Sequence, residues 1–393
     1  MTVAQSGSVS APRVLLAITA YNGESFIART LDSALHIDQS DAQVDVLVLD
    51  DCSPAPGFSQ RLAAMCEQRG ILYYRSPRNL GIPRNVSLGM LTAVQQGYDH
   101  VIISNSDVVY PRNFVTQLLR AVAQEGVGSV TAWSNNVSMY SLPNSDPDRY
   151  LSDQERVDWI SETFAGVWVD AAMDIPAGIS FAMIVPTAVI EDVGVMDPVF
   201  GRGYCEETDW SLRSLAAGYR VALAPGCFVY HAGRGSNLEA GLVSRDHTSV
   251  PHNEDILDMR YPLFRGQVQA FAASGLLSQA RLHGVAALMQ RAGSENGYTI
   301  DVGWLPPSGV EEGLVRCTVA PDGLGGAIAM DHLGFRHLID DVDGFAVAET
   351  LQEFFGGRAP SAVNLRDGGA LSRSLGSEFA GLTRRSGNYP SRV

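Results

Sequence analysis

From Val14 onward, short runs of consecutive apolar residues alternate with segments in which apolar residues recur every three or four positions. The first kind is the signature of strands buried on both faces, the second of helices with one buried stripe. Val14–Ala20 (VLLAITA) is such a strand. It runs into Tyr21-Asn22-Gly23, after which Phe26, Ile27, Thr30, Leu31, Ala34 and Leu35 fall at helical spacing. Val44–Leu49 is a second strand, ending in Asp50-Asp51, and Ile71–Tyr74 a third. Helix is expected around Asn85–Gln96. A fourth strand, Val101–Ser104, is followed by Asn105-Ser106-Asp107, and Pro111 opens a helix reaching about Ala123. Further strands are expected at Val127–Trp133, Ile179–Val185, Val221–Ala224 and Phe228–Tyr230. Glu207–Ala217 reads as a helix stopped by Gly218.

Strands alternating with helices predict an α/β domain with a mostly parallel, Rossmann-like central sheet flanked by helices. In such sheets ligands bind outside the strand carboxyl ends, which puts Thr19–Asn22, Asp50-Asp51 and Asn105–Asp107 along one rim. The pattern divides the chain into a disordered start (1–12), an α/β domain (13–248, with halves 13–133 and 134–248), an accessory region (249–372) and a flexible tail (373–393). Ser134–Asp148 is polar and reads as a long loop. The accessory region is expected to be mostly helical over Asp255–Ala292, with strands at Thr299–Trp304 and Val315–Val319.

Composition narrows the function. With 393 residues, 46% of them hydrophobic, the chain has enough apolar material for a large core. Its net charge of −15 argues against non-specific nucleic-acid binding. No lysine occurs, so all 28 basic residues are arginine, and a Walker A phosphate loop with its required lysine is excluded. The five cysteines form no C-x-x-C pair and suggest neither a disulfide framework nor a zinc site. No segment approaches the roughly 20 apolar residues of a membrane span, and the first twelve residues lack the basic start and apolar run of a signal peptide. A cytoplasmic location is expected.

Three clusters carry candidate chemistry. Asn105-Ser106-Asp107 at a strand end offers a carboxylate to a hard divalent cation, which prefers oxygen ligands and would reverse the local sign for a diphosphate. Glu206-Glu207-Thr208-Asp209 sets three carboxylates at a helix start, an arrangement that the helix dipole alone also favours. His231 follows a short strand. The loop Gly201–Tyr204 suits either a mobile flap or a plain turn. Trp133, Trp159 and Trp168 suit either the core or stacking against a sugar.

In order, AITAYNGESFIARTLDSAL, LVLDDCS, RNLGIPRNVSLGM, ISNSDVVYP, PAGISFAMIVPTAVIEDVGVMD and GRGYCEETDWSLRSLAAGYRVALAPGCFVYHAGRGS resemble glycosyltransferase family 2 over about 220 residues. The resemblance implies a GT-A fold and a metal-dependent, inverting transfer of a sugar, of hexosyltransferase type. The donor would be a nucleotide-sugar, with UDP or dTDP favoured. Thr19 and Tyr21 match positions lining the nucleobase, and Asp50 and Asp51 the acidic pair of which one contacts the base. Asn79 and Arg84 match the segment flanking the nucleotide. Asn105-Ser106-Asp107 matches the DxD motif with Asn in the first position. The motif's metal, Mn2+ or Mg2+, falls to Asp107, with His231 a further ligand. Glu207 matches the general base, and Asp209 remains open for that role. The acceptor is undefined; a soluble or carrier-bound molecule, such as a small natural product, is expected. The accessory region is left for acceptor choice or a homo-oligomer contact.

Other classes fit less well. A sugar-1-phosphate nucleotidyltransferase needs a glycine-rich loop and a lysine, and a dinucleotide oxidoreductase needs G-x-G-x-x-G after the first strand; neither is present. The non-enzymatic alternative is a family member that binds nucleotide-sugar or a partner without turnover, suggested by Asn105.

Overall fold

A computed structural model describes residues 11–142, 153–233, 250–303, 315–330 and 336–385. The expected disorder of residues 1–12, the far part of the 134–148 loop, Trp304 and the end of the tail fall wholly or partly outside them. The chain folds as two compact units, residues 1–277 and 278–393.

The first unit is built on β1 (Arg13–Ala20), α1 (Ile27–His36), β2 (Gln43–Asp50), α2 (Phe58–Gln68), β3 (Leu72–Arg75), α3 (Ile82–Gln95) and β4 (His100–Asn105). There follow the short β5 (Val108–Val109), α4 (Phe114–Val122), β6 (Val127–Ser134), α5 (Gln154–Val167), β7 (Met173–Asp174), β8 (Ala182–Pro186) and α6 (Thr187–Val193). Last come α7 (Glu206–Ala216), β9 (Arg220–His231), α8 (Pro251–Arg260) and α9 (Phe264–Ala273). The sheet order is β3-β2-β1-β4-β8-β6-β9-β5, with β7 paired to β9.

The apolar run of β1 is explained by burial on both faces. Val14, Leu16 and Ile18 join one core layer with α1, α2 and α4, whereas Leu15 and Ala17 join the other with Val86 and Met90 of α3 and Trp210 of α7. Burying one such Leu or Ile contributes about 1.5–3 kcal/mol. Strands β3, β2, β1 and β4 are parallel, as predicted. Beyond β4 the sheet is mixed, because β8 runs antiparallel to both β4 and β6.

The second unit holds the rest of α10 (Leu276–Asn296), then β10 (Tyr298–Val302), β11 (Val315–Pro321), β12 (Ala327–Met330), β13 (Arg336–Ile339), α11 (Gly344–Phe354), β14 (Ala362–Leu365), α12 (Ala370–Glu378) and β15 (Thr383–Arg385). A six-stranded sheet of order β13-β12-β11-β10-β14-β15 runs through it. Helix to Asn296 and strands β10 and β11 fall where expected; strands β12 to β15 make the extension, expected to be mostly helical, a mixed α/β unit. Part of the expected flexible tail is ordered as well, since α12 covers 373–378 and β15 pairs with β14. Strands of three to five residues, such as β12, β13, β14 and β15, are too short to display a period of two in the sequence.

Candidate active site

Parallel strands in register bring the rim together. Thr19 lies opposite Asn105, and Ala20 opposite Asp50. Outside these strand ends a cavity of about 680 Å3 opens in the first unit, within the usual size of a small-molecule site. It is lined by Thr19, Tyr21, Asp51, Asn79, Asn105, Ser106, Asp107, Glu206, Glu207 and His231 among the residues singled out from sequence. Asp50, Arg84 and Asp209 are not on its wall, and neither are Trp133, Trp159 and Trp168.

The two neighbouring aspartates at the end of β2 do different work. Asp50 is fully buried and accepts hydrogen bonds from the Ser53 amide (2.9 Å), Ser59 Oγ (2.5 Å) and Tyr73 Oη (2.8 Å). Burial pushes its carboxyl up, but these hydrogen bonds outweigh that and hold it below the ordinary carboxylate range. Asp51 faces the cavity and receives the Leu80 amide at 2.6 Å and the Gly81 amide at 2.9 Å, one on each oxygen. Burial raises its pKa. Asp51 thus ties the 79–81 segment, with Asn79, to the strand end. Arg84 is exposed on α3 and reaches only the Leu80 carbonyl.

The turn after β4 is shaped by Thr30 of α1, whose Oγ1 donates to the carbonyls of Ser106 and Val108. The antiparallel ladder of β5 on β9 places Val108 opposite His231. Asp107 Oδ1 consequently lies 3.2 Å from His231 Nε2, although 124 positions separate them in the chain. Asn105 Nδ2 is also 3.2 Å from that nitrogen. His231 Nδ1 faces the Asn136 carbonyl at 2.9 Å, which can only accept, so Nδ1 carries a hydrogen and Nε2 is directed to the acidic turn. Burial disfavours charge on both partners, yet their mutual attraction keeps Asp107 below its usual pKa and His231 above its own.

This donor set fits a divalent cation. Adjacent ligands each about 2.1 Å from one octahedral ion lie about 3 Å apart, close to the spacing between Asp107 and His231. The backbone carbonyl on the far ring nitrogen is the usual orienting contact of a metal-bound histidine. No group of three or more His, Cys, Asp or Glu able to hold a metal occurs among the described residues; a cation held by Asp107 and His231 would need further oxygen ligands, such as phosphate or water.

The first turn of α7 brings Glu206 and Glu207 to the cavity. Their carboxyls are hydrogen-bonded to each other, and Oε2 of each is buried without a partner. Burial raises both pKa values, and the neighbouring charge raises Glu206 further; the hydrogen bond it donates partly offsets the rise at Glu207. Glu206 is raised the further of the two and is the first of the pair to take a proton. Glu207 is thus not a carboxylate of ordinary pKa. Asp209, one turn on, is fully buried and accepts from Arg213 Nε (2.9 Å), Arg260 Nη1 (2.8 Å) and Tyr261 Oη (3.0 Å).

Several lining residues escaped the sequence reading. Asn85 is buried with Nδ2 on the Leu49 carbonyl and Oδ1 unpartnered. Arg202 and Tyr204, by contrast, belong to the loop singled out as a flap or a turn, and both line the cavity. Phe264 and Val268 of α9 belong to a region from which no chemistry was read. Their i, i+4 spacing was the available signal, but it marks a helix face and not what that face borders.

Residues 16–170 match the family model described as glycosyl transferase family 2. Over those residues the chain is similar to glycosyltransferase family 2. The matched stretch contains the nucleotide-side set from Thr19 to Asp107; Glu206, Glu207 and His231 lie beyond it. The GT-A arrangement anticipated for this family is the one observed, a large central sheet flanked by helices with its acidic turn at a strand end. No curated protein matches the chain.

Among solved structures, the chain is similar to GalNAc-T7 crystallised with UDP, GalNAc and Mn2+ (15% identity, TM-score 0.45, covering 57% of this chain and 45% of that one). It is also similar to the mannosyltransferase PcManGT from Pyrobaculum calidifontis in complex with GDP-Man and Mn2+ (16%, 0.43, 73% and 76%). A third is S. aureus TarS (13%, 0.40, 72% and 44%). The chain thus spans less than half the length of two of the three. These likenesses are loose. Among the described residues no helix is long and apolar enough to cross a membrane.

Proposed function

We propose that the first unit is a metal-dependent, inverting glycosyltransferase that moves a sugar from a nucleoside-diphosphate donor, UDP- or dTDP-linked by preference, to a soluble or carrier-bound acceptor. The observation that carries this reading is the convergence of Asp107, His231 and Glu207, remote in sequence, on one cavity whose floor is the strand-end rim. Thr19, Tyr21, Asp51 and Asn79 line the side proposed for the nucleoside.

Asp107 and His231 would hold Mn2+ or Mg2+. When bound, such an ion supplies positive charge to the diphosphate as it leaves. Glu207 acts as the general base. It takes the proton of the acceptor hydroxyl as that oxygen bonds to the anomeric carbon, and the bond from that carbon to the diphosphate oxygen breaks with its electron pair on the diphosphate. One displacement on the face opposite the leaving group inverts the centre. Glu206, holding its own proton, fixes the Glu207 carboxylate by a hydrogen bond and stabilises its charge. Asp209 takes no part, because its oxygens are engaged by Arg213, Arg260 and Tyr261.

Titration of UDP-, dTDP- and GDP-sugars with and without Mn2+, alongside turnover, tests this. Glu207→Gln is expected to cut transfer by about 10^2–10^4-fold while donor binding is kept, and Asp107→Ala to lose the response to Mn2+. Ordinary turnover by Glu207→Gln removes the base. Donor binding that is the same in EDTA as in Mn2+ rejects the metal site.

A further inference from the structure

The cavity is strongly acidic: Asp51, Asp107, Glu206 and Glu207 all line it. Against them stands one guanidinium, Arg202, the only arginine on its wall among the described residues, in a chain without lysine.

The backbone carrying Arg202 is held firmly. Its carbonyl accepts the Ile82 amide at 3.1 Å. The buried Asn253 side-chain amide of α8 donates to the carbonyls of Phe200 (3.0 Å), Gly203 (2.7 Å) and Tyr204 (3.0 Å). Gly201, Gly203, Tyr204 and Cys205 all take positive φ, so the loop turns sharply at this place. It approaches Gly81 so closely that a Cβ there would lie 2.3 Å from the Gly201 carbonyl oxygen. The loop is therefore a fixed turn stacked on the segment that Asp51 anchors, and not a freely moving flap.

The side chain is different. The guanidinium is exposed and makes no hydrogen bond or ion pair among the described residues. Its charge acts on Asp51, but both oxygens of Asp51 are already occupied by backbone amides. No ion pair between Arg202 and Asp51 forms. A rigid backbone presenting an uncommitted, planar, five-donor cation to an acidic cavity suits a bidentate contact with phosphate oxygens.

We propose that Arg202 binds the diphosphate of the sugar-nucleotide donor, supplying fixed positive charge to the leaving group in addition to any metal at Asp107 and His231. This rests on the reading of the cavity as a donor site. The alternative contact for a guanidinium is stacking on the nucleobase, and the choice of ligands separates the two.

The test uses the full chain in Mn2+, measuring by calorimetry the binding of UDP, dTDP and GDP and, for the tightest of them, the matching nucleoside. Arg202→Ala is expected to weaken the nucleoside diphosphate about tenfold to hundredfold, as loss of a charged hydrogen-bonding group does, and to leave the nucleoside unchanged. Arg202→Lys should fall between, having the charge without the fork. Unchanged diphosphate affinity in Arg202→Ala overturns the proposal, as does an equal loss for nucleoside and diphosphate. A wild-type chain that binds none of the three diphosphates overturns the transferase reading itself, and this inference with it.

Discussion

Glu206 and Glu207 are chemically identical neighbours whose pKa values burial raises, Glu206 further because of the charge on Glu207. Because a general base must be ionised, raising its pKa moves the acid limb of kcat/KM to higher pH, and activity is lost as pH falls through that raised value. Replacing Glu206 with Ala removes the hydrogen bond that favours the Glu207 carboxylate, so the limb should shift further up. Glu206→Gln keeps a donor and should leave the limb near its wild-type position. Stability follows the sign of the shift at Glu206. Its folded-state pKa lies above the unfolded one, so its contribution is full below the unfolded value and lost as pH rises through the folded one. Melting temperatures across that range should accordingly fall less steeply for Glu206→Gln than for the wild type. A pH–rate profile unmoved by Glu206→Ala would refute this role of Glu206.

At the scale of elements, α7 is the part that turns sequence into a site. Its first turn holds three acids, and the helix dipole favours all of them equally; packing then separates their roles. Asp209 points into the contact with α8 and ties it to α7 through Arg260, which also pairs with Asp197 at 2.8 Å. Asp209→Ala leaves Arg213 and Arg260 without their buried partner and should cost about 3 kcal/mol, seen as a lower denaturation midpoint. The fraction that folds should retain its transfer rate per active site. An inactive Asp209→Ala with undiminished stability would return Asp209 to the chemistry. The link also explains why α8 and α9 belong with the first unit. Asn253 of α8 pins the loop before α7, and Phe264 and Val268 of α9 complete the cavity wall.

Across the whole molecule, every described lining residue of the cavity falls between Thr19 and Val268, inside the first compact unit. A chain ending at Leu277 is therefore expected to bind nucleoside diphosphates in Mn2+ with the affinity of the full chain. Lost binding by a truncated chain that still melts cooperatively would show that the second unit contributes to the donor site.

Much of this was legible in the residue pattern itself. The apolar runs and helical stripes determined the strand–helix alternation, and the polar residues that end those runs determined that Thr19, Asp51 and Asn105–Asp107 share a rim. Parallel strands with short connections bring such ends side by side regardless of detail. Tertiary structure alone decided the rest. Asp50 and Asp51 are indistinguishable in sequence, but alternate side chains leave a strand on opposite faces, and only one face here meets the cavity. The pairing of Asp107 with His231 depends on an antiparallel ladder between segments more than a hundred residues apart. That Arg202 stands unpaired on the wall while Asp51 accepts two backbone amides is likewise visible only in the fold. Local periodicity reports contacts within a helical turn or along one strand. Burial, register between distant strands and the satisfaction of individual polar atoms are properties of the assembled fold.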